Sequence, residues 1–408
     1  MAIIKPFRAL HPVPEKAKQV SCVPYDVAYE SEVRDFIKNN PNSFLHVTRP
    51  EAEFAEDANP SAEIILERAK HNLEKLIDDG ILALESEPCF YVYRLAFENH
   101  RQTGIVACCS LDEYEHGLIK KHEKTRPDKV EDRTAHMLSV KAQTGLIFLA
   151  YRGTGEIRRL IGQATSAEPL YHFECTNGIQ QTVWRISKTD QFTRAFVSVP
   201  ALYIADGHHR VESARLARKS LRYNNPDHNG TEEYNFVVSG IFPAEDLRIL
   251  AYNRVVKDLN GLSEPAFLTK LTESFAVSET ETKEPQNHRE FGMYLNGKWY
   301  KLQFAANHEP EPDPLWRLDV SILQRCVLEP ILGIDDPSTN ERIGFVGGGR
   351  GTDELEKLVD DGDFKVAFSL YPTTMDDLFA VSDTGGIMPP KSTWFEPKLK
   401  DGLFVHLI

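Results

Sequence analysis

Apolar positions repeat along the chain with two periods. Between 61 and 80, Ile64, Ile65, Ala69, Leu73, Leu76 and Ile77 recur at helical spacing and Asp78-Asp79-Gly80 ends the run, which predicts an amphipathic helix. The stretches 89–98 and 103–110 alternate and are rich in Tyr, Val, Phe and Ile, predicting two strands joined by Asn99-His100-Arg101-Gln102. The same criteria predict helices at 31–40, 130–144, 209–223, 319–332 and 352–361. In the third of these, Val211, Ala214, Leu216 and Ala217 should face inward. Strands are expected at 18–29 (ending in a turn at Pro24-Tyr25-Asp26), 146–151, 168–174, 181–187, 291–305 and 364–370, and 234–242 and 247–256 read as a hairpin pair. The run 195–205 is mostly apolar, 276–290 is charged and aperiodic like a linker, 344–351 is a glycine-rich turn, and the tail is rich in Pro and Lys. Strands and helices alternate irregularly, so the expected class is mixed α/β (α+β) with mixed sheets, not a regular doubly wound sheet. Three regions are expected: 1–110, 111–275 and 276–408.

Composition narrows the function. The 408 residues carry a net charge of -14, a field that repels a phosphate backbone, so nucleic acid is not the expected partner. The six cysteines include no C-x-x-C pair, which argues against a zinc framework or disulfide scaffold and fits a reducing cytoplasm. Neither a signal-peptide core nor an apolar run long enough to span a membrane is present in the sequence. The expected partner is a small-molecule substrate, with a homodimer left open.

One segment carries the densest chemistry. An apolar strand ending in Tyr203-Ile204-Ala205 runs into Asp206-Gly207-His208-His209-Arg210 and then into a helix. A helix start presents N–H groups and the positive end of its dipole, where anions settle. Gly207 allows a sharp turn and close approach to a ligand. His208, His209 and Arg210 add donors and charge, and a guanidinium grips phosphate oxygens in pairs. Asp206 has three readings: a cap, a magnesium ligand, or a group that orients a hydroxyl. Adjacent histidines face different ways on a helix, so only one of them should meet a ligand, and they make a poor zinc chelate.

The whole chain resembles the bacterial and archaeal domain-of-unknown-function family 1015. The blocks that carry the resemblance are Pro6-Phe7-Arg8-Ala9, Pro24-Tyr25-Asp26-Val27, His122-Glu123-Lys124-Thr125, Glu131-Asp132-Arg133, Ala205 through Arg210, and Met388-Pro389-Pro390-Lys391-Ser392-Thr393. The D-G-H-H-R block is also similar to a motif of ParB/sulfiredoxin-like proteins and of the free-serine kinases among them. That resemblance implies a ParB/sulfiredoxin-like nucleotide-binding core, with Gly207, His208, His209 and Arg210 holding phosphate and an upstream glutamate, here Glu123, as base for the serine hydroxyl. The chain departs from the family pattern at Gly344–Gly351, where a strand-like sequence is expected, and at Trp394 and Glu396.

Further pieces fit this picture. His122, Lys124, Thr125 and Arg133 could wall a nucleotide site, and Lys391, Ser392 and Thr393 sit on a proline-stiffened tail that could present them to an anion. Tyr25 and Asp26 could line an acceptor pocket. The glycine-rich turn with Arg350 could cradle phosphate. The expected activity is therefore transfer of a phosphoryl group from ATP (or ADP or pyrophosphate) with Mg2+ to the hydroxyl of a small metabolite, free L-serine by resemblance. The alternatives are a non-catalytic nucleotide-binding switch and a phosphohydrolase using a histidine of the same motif.

Overall fold

Strand β1 (Ile4–Lys5) is followed by the hairpin of β2 (Phe90–Phe97) and β3 (His100–Ser110), in which Tyr91 faces Val106 and Phe97 faces His100. The turn is tighter than the sequence suggests because Glu98 adopts a left-handed φ of 52°. The computed structural model describes residues 2–305 and 313–408. The chain forms two units, one of Met1–Lys120, Thr125–Leu247 and Pro397–Ile408, the other of Lys121–Lys124 and Arg248–Glu396. This division differs from three consecutive regions because the last dozen residues return to the first unit.

The first unit is built on a nine-stranded mixed sheet. After β3 come β4 (Ile119–Lys120), β5 (Ile147–Tyr151), β6 (Tyr171–Glu174), β7 (Gln180–Ile186), β8 (Leu202–Asp206) and β9 (Phe236–Pro243). The order across the sheet is β4-β8-β5-β9-β3-β2-β7-β6, with β1 alongside β3. Pairs β8/β4 and β9/β5 are parallel and the others antiparallel, giving the mixed α/β class. Residues 102–110 of β3 are buried on both faces, as a central strand covered on both sides must be. Phe90, Val92, Ile105 and Ala107 pack on one side with Ile147 and Leu149, and Tyr91 and Tyr93 meet Phe404 on the other. Helices α1 (Ala62–Asp78), α2 (Pro127–Val140) and α3 (His208–Tyr223) complete this unit's main layers. Ser61 caps α1, and Val211, Ala214 and Ala217 of α3 enter the core while Leu216 is only half-buried.

The second unit is a six-stranded antiparallel sheet of β10 (Tyr252–Val256), β11 (Phe275–Glu279), β12 (Glu290–Leu295), β13 (Lys298–Phe304), β14 (Ile343–Gly347) and β15 (Val366–Leu370), ordered β11-β13-β12-β15-β10-β14. Its core joins Val255, Tyr294, Trp299, Val346, Leu355 and Ala367.

Several sequence expectations are corrected here. Residues 18–29 are not a strand: Ala17–Val20 is a helical turn, and Cys22 makes only an isolated bridge to Asp401. The segments 234–242 and 247–256 do not pair: β9 lies between β5 and β3 in one sheet and β10 between β14 and β15 in the other. The charged 276–290 stretch is no plain linker, because an edge strand tolerates polar side chains and β11 occupies its first part. Residues 291–305 form two strands turned at Asn296-Gly297, both with positive φ. Residues 190–196 are helical, so the apolar 195–205 run is a helix end followed by a strand. Helix 319–332 narrows to Asp319–Leu323 followed by a wider turn over Gln324–Leu328. The tail contains a capped helix, Met375–Asp383, that its acidic start conceals.

The glycine-rich turn is half strand: β14 takes in Gly344–Gly347, and a tight turn follows over Gly348–Arg350. Its glycines serve packing: a Cβ on Gly344 would stand 2.8 Å from Val255, and one on Gly347 would overlap the Trp394 ring.

Packing around Gly104 gives a first test. A Cβ there would lie 2.5 Å from the Ile241 carbonyl oxygen and 2.6 Å from the Phe242 ring. Gly104→Ala should cost about 1–3 kcal/mol in denaturant unfolding. Gly162→Ala, in the helix Gly155–Ala164 with open space around it, should instead stabilise by about 0.5–1 kcal/mol.

Candidate functional site

The D-G-H-H-R segment begins where β8 breaks register with β5 between Ile204 and Asp206, a bulge that re-aims the strand end. Gly207 then turns with φ 92°, and α3 starts at His208. That φ is strained for any residue with a Cβ, which explains glycine at this position. The Asp206 carboxylate accepts the Gly207 N–H at 2.8 Å. Helix α3 has no side-chain cap and no acidic residue in its first turn, and the Asp206 carboxylate just before its start is engaged by the Gly207 N–H and by Lys398.

Two charged residues of the C-terminal segment close on the motif. Lys398 Nζ donates to Asp206 Oδ2 at 2.5 Å. Arg210 donates through Nη1 to Asp401 Oδ1 at 2.8 Å and through Nη2 to Asp401 Oδ2 at 2.9 Å. The motif's acid thus meets the tail's base, and the motif's base meets the tail's acid. Burial opposes ionisation of Asp206, but Lys398, with the Gly207 N–H and Arg210 behind it, outweighs burial and holds the carboxyl well below the usual range. Burial likewise opposes the charge on Arg210, and Asp401 more than offsets it. Burial, with Asp26 behind it, pushes the Asp401 carboxyl up, and the two-pronged Arg210 guanidinium opposes that shift. Gly145 makes room for this pair, since a Cβ there would coincide with the Arg210 guanidinium.

Around Arg210 lies a small cavity of about 30 Å3, lined among others by Tyr25, Thr48, Arg133, His136 and Asp401. It suits water, not a metabolite. The Tyr25 ring has the Arg133 guanidinium 4.5 Å from its centre and that of Arg210 at 5.3 Å. Burial, then Asp26, pushes the Tyr25 phenol up to about 12. Asp26 itself is exposed.

The structure therefore sorts the expected residues. Tyr25, Arg133, Asp206, Gly207 and Arg210 share one neighbourhood of the first unit, where Arg210 is committed to Asp401 and Asp206 to Lys398. His208 is buried. His209 Nε2 accepts the Arg126 backbone N–H at 3.1 Å, which places its ring proton on Nδ1. Thr125 also belongs to the first unit, half-buried. His122, Glu123, Lys124, Lys391, Ser392 and Thr393 belong to the second. There two motifs far apart in sequence meet: His122 Nε2 lies 3.3 Å from Thr393 Oγ1, and the Met388 N–H donates to the His122 carbonyl at 2.8 Å. Ser392 is buried with its hydroxyl donating to the Pro389 carbonyl at 2.6 Å, so it is spent within the loop. Lys124 and Lys391 are exposed, and Glu123 is half-buried.

Sequence reasoning missed Asp401 and did not connect Lys398 with Asp206. Their signal was charge embedded in an otherwise buried tail, where Leu399, Leu403, Phe404 and Val405 all enter the core.

Comparison with known proteins places the chain in a family. The chain belongs to the family described as protein of unknown function (DUF1015). That family's model matches residues 4–321. No curated protein matches the chain. Among solved structures it is similar to SbnI with a C-terminal truncation from Staphylococcus aureus, at 13% identity and a TM-score of 0.39, covering 74% of this chain and 87% of that one. A free serine kinase mutant in complex with AMP shares 13% identity with a TM-score of 0.38 over 73% of this chain and 92% of its own. A conserved hypothetical protein from Pyrococcus furiosus shares 14% at 0.37 over 74% and 95%. Among the described residues, no helix is long and apolar enough to cross a membrane.

His136 supplies a pH test. It is buried, its Nε2 lies 2.8 Å from the Val47 carbonyl, and burial, then Arg133, lowers its pKa from 6.5 to about 4. The folded-state value lies below the unfolded one, so on acidification the unfolded chain takes up this proton first. Stability should fall between pH 6.5 and about 4, by roughly 3 kcal/mol from this group. His136→Gln should flatten that part of the profile in urea unfolding series.

Proposed function

We propose that the chain is a small-molecule phosphotransferase that moves a phosphoryl group from ATP, or a similar donor, to an alcohol, with free L-serine the acceptor implied by sequence resemblance. The observation that carries this reading is the turn at Gly207. It opens a sixteen-residue helix with no side-chain cap and no acidic residue in its first turn, next to the Asp206 carboxylate that holds the Lys398 ammonium in place. A helix start and a fixed ammonium together make a seat for phosphate oxygens.

Phosphoryl transfer asks little covalent chemistry of the protein and depends on positioning and charge. In this proposal the N–H end of α3 and Lys398 receive phosphate. Arg210 contributes its field and holds the turn, because its fork already faces Asp401. Asp206, carrying Lys398 and the Gly207 N–H, suits a positioning role better than a metal ligand. Mg2+ would then arrive on the nucleotide, keeping its waters and phosphate oxygens.

The test is nucleotide binding and product formation. With Mg-ATP, Mg-ADP or pyrophosphate and a pool of hydroxyl metabolites including L-serine, mass spectrometry should find a new phosphate ester. Lys398→Ala should weaken nucleotide binding about tenfold or more, since it removes a charge-assisted contact and leaves Asp206 facing the phosphate. Wild-type nucleotide affinity in that variant, or no phosphorylated product from any donor, would sink the proposal.

A further inference from the structure

In the second unit, Arg254 of β10 is only 3% exposed. A buried guanidinium normally faces a carboxylate, as Arg218 of the first unit faces Asp112. The described partners of Arg254 are all neutral. Nη1 donates to the Tyr252 carbonyl at 2.7 Å, Nη2 donates to the Pro390 carbonyl at 3.1 Å, and the guanidinium lies 4.7 Å from the centre of the Phe345 ring. Carbonyls take up N–H groups but leave the net charge uncompensated. A neutral glutamine could strap the same loop without burying a cation. Of the five N–H donors of a guanidinium, these two bonds use only two.

The loop beside it is held stiffly. Met388 N–H donates to the His122 carbonyl, Ser392 Oγ to the Pro389 carbonyl, and Thr373 Oγ1 to the Ser392 carbonyl at 2.9 Å. Lys391 follows the carbonyl that Arg254 holds. It takes a left-handed φ of 58°, unusual for a lysine, and its ammonium lies 5.6 Å from the centre of the Tyr252 ring. The loop thus carries one cation, Lys391, and its Pro390 carbonyl is held by a second, Arg254 of β10, which is buried with no described counter-charge.

We propose that Arg254 and the 388–393 loop form an oxyanion-binding site of the second unit that takes a phosphate-class anion, held by the Arg254 fork and by Lys391. Burial, opposed only by Tyr252, lowers the Arg254 pKa to about 10, and a resident anion would reverse that displacement. The site is independent of the phosphate seat at α3, and either can fail alone.

Isothermal titration of the full chain with inorganic phosphate, and separately with ADP, tests the assignment. Wild type should bind phosphate. Arg254→Met should weaken that binding about tenfold or more, the scale of one charge-assisted pair, with ADP affinity unchanged within about twofold. Arg254→Lys should fall between. If circular dichroism shows that Arg254→Met does not fold, Arg254→Lys and Lys391→Gln carry the same criterion. Three results overturn the assignment: no phosphate binding by wild type, wild-type phosphate affinity in the Arg254 variants, or an equal loss of ADP binding. Normal ADP binding in Lys398→Ala alongside selective phosphate loss in Arg254→Met would instead remove the α3 reading and leave this one standing.

Discussion

Two ion pairs exchanged between a motif and a tail hold the site together. Asp206 and Arg210 sit on the turn that opens α3, and their counter-charges, Lys398 and Asp401, come from the last dozen residues of the chain. Neither partner of the Arg210–Asp401 pair has much access to water, with 14% and 3% of the side chains exposed. Such a pair adds little net stability over an apolar substitute, but breaking it strands a charge, at a cost of roughly 3–5 kcal/mol. The chain around it is shaped accordingly. Gly145 leaves the space the guanidinium fills, and the backbones of Cys22 and Asp401 bond to each other in both directions.

This arrangement separates two roles that a cationic motif could otherwise combine. Arg210 looks from sequence like the phosphate clamp, yet its planar fork is matched to a carboxylate of the same chain and fixes where the helix begins. Lys398, a compact charge on a flexible stem, is better suited to meet an incoming anion at that helix start. His208 and His209 separate similarly, one buried and the other engaged at Nε2 with the backbone of the residue preceding α2. The charge that anchors the turn is thus distinct, in sequence and in geometry, from the charge to which the proposal gives the phosphate.

Much of the fold was legible in advance because periodicity reports local geometry. Helix α1, the β2–β3 hairpin and the strand–turn–helix at 202–223 follow directly from spacing and turn residues. Pairing partners were not legible, since an apolar stretch such as 236–243 does not say which strands will flank it. The edge strand at 275–279 was hidden for a related reason: an edge needs few apolar side chains, so its sequence looks like a linker. At the site, the motif's position could be read and its partners could not. Lys398 and Asp401 lie almost two hundred residues downstream, and nothing in local spacing links them to Asp206 and Arg210. The glycines at 344 and 347 look like a phosphate cradle from sequence and are close-packing positions in the structure.

The most direct test of this account is a double-mutant cycle on Arg210 and Asp401. The variants are Arg210→Met, Asp401→Leu and the pair together, each unfolded in urea at pH 7. The account predicts that each single change is severely destabilising, that the double variant recovers much of the loss, and that the coupling energy is about 2 kcal/mol or more. Additive effects, with a coupling below about 0.5 kcal/mol, would contradict it.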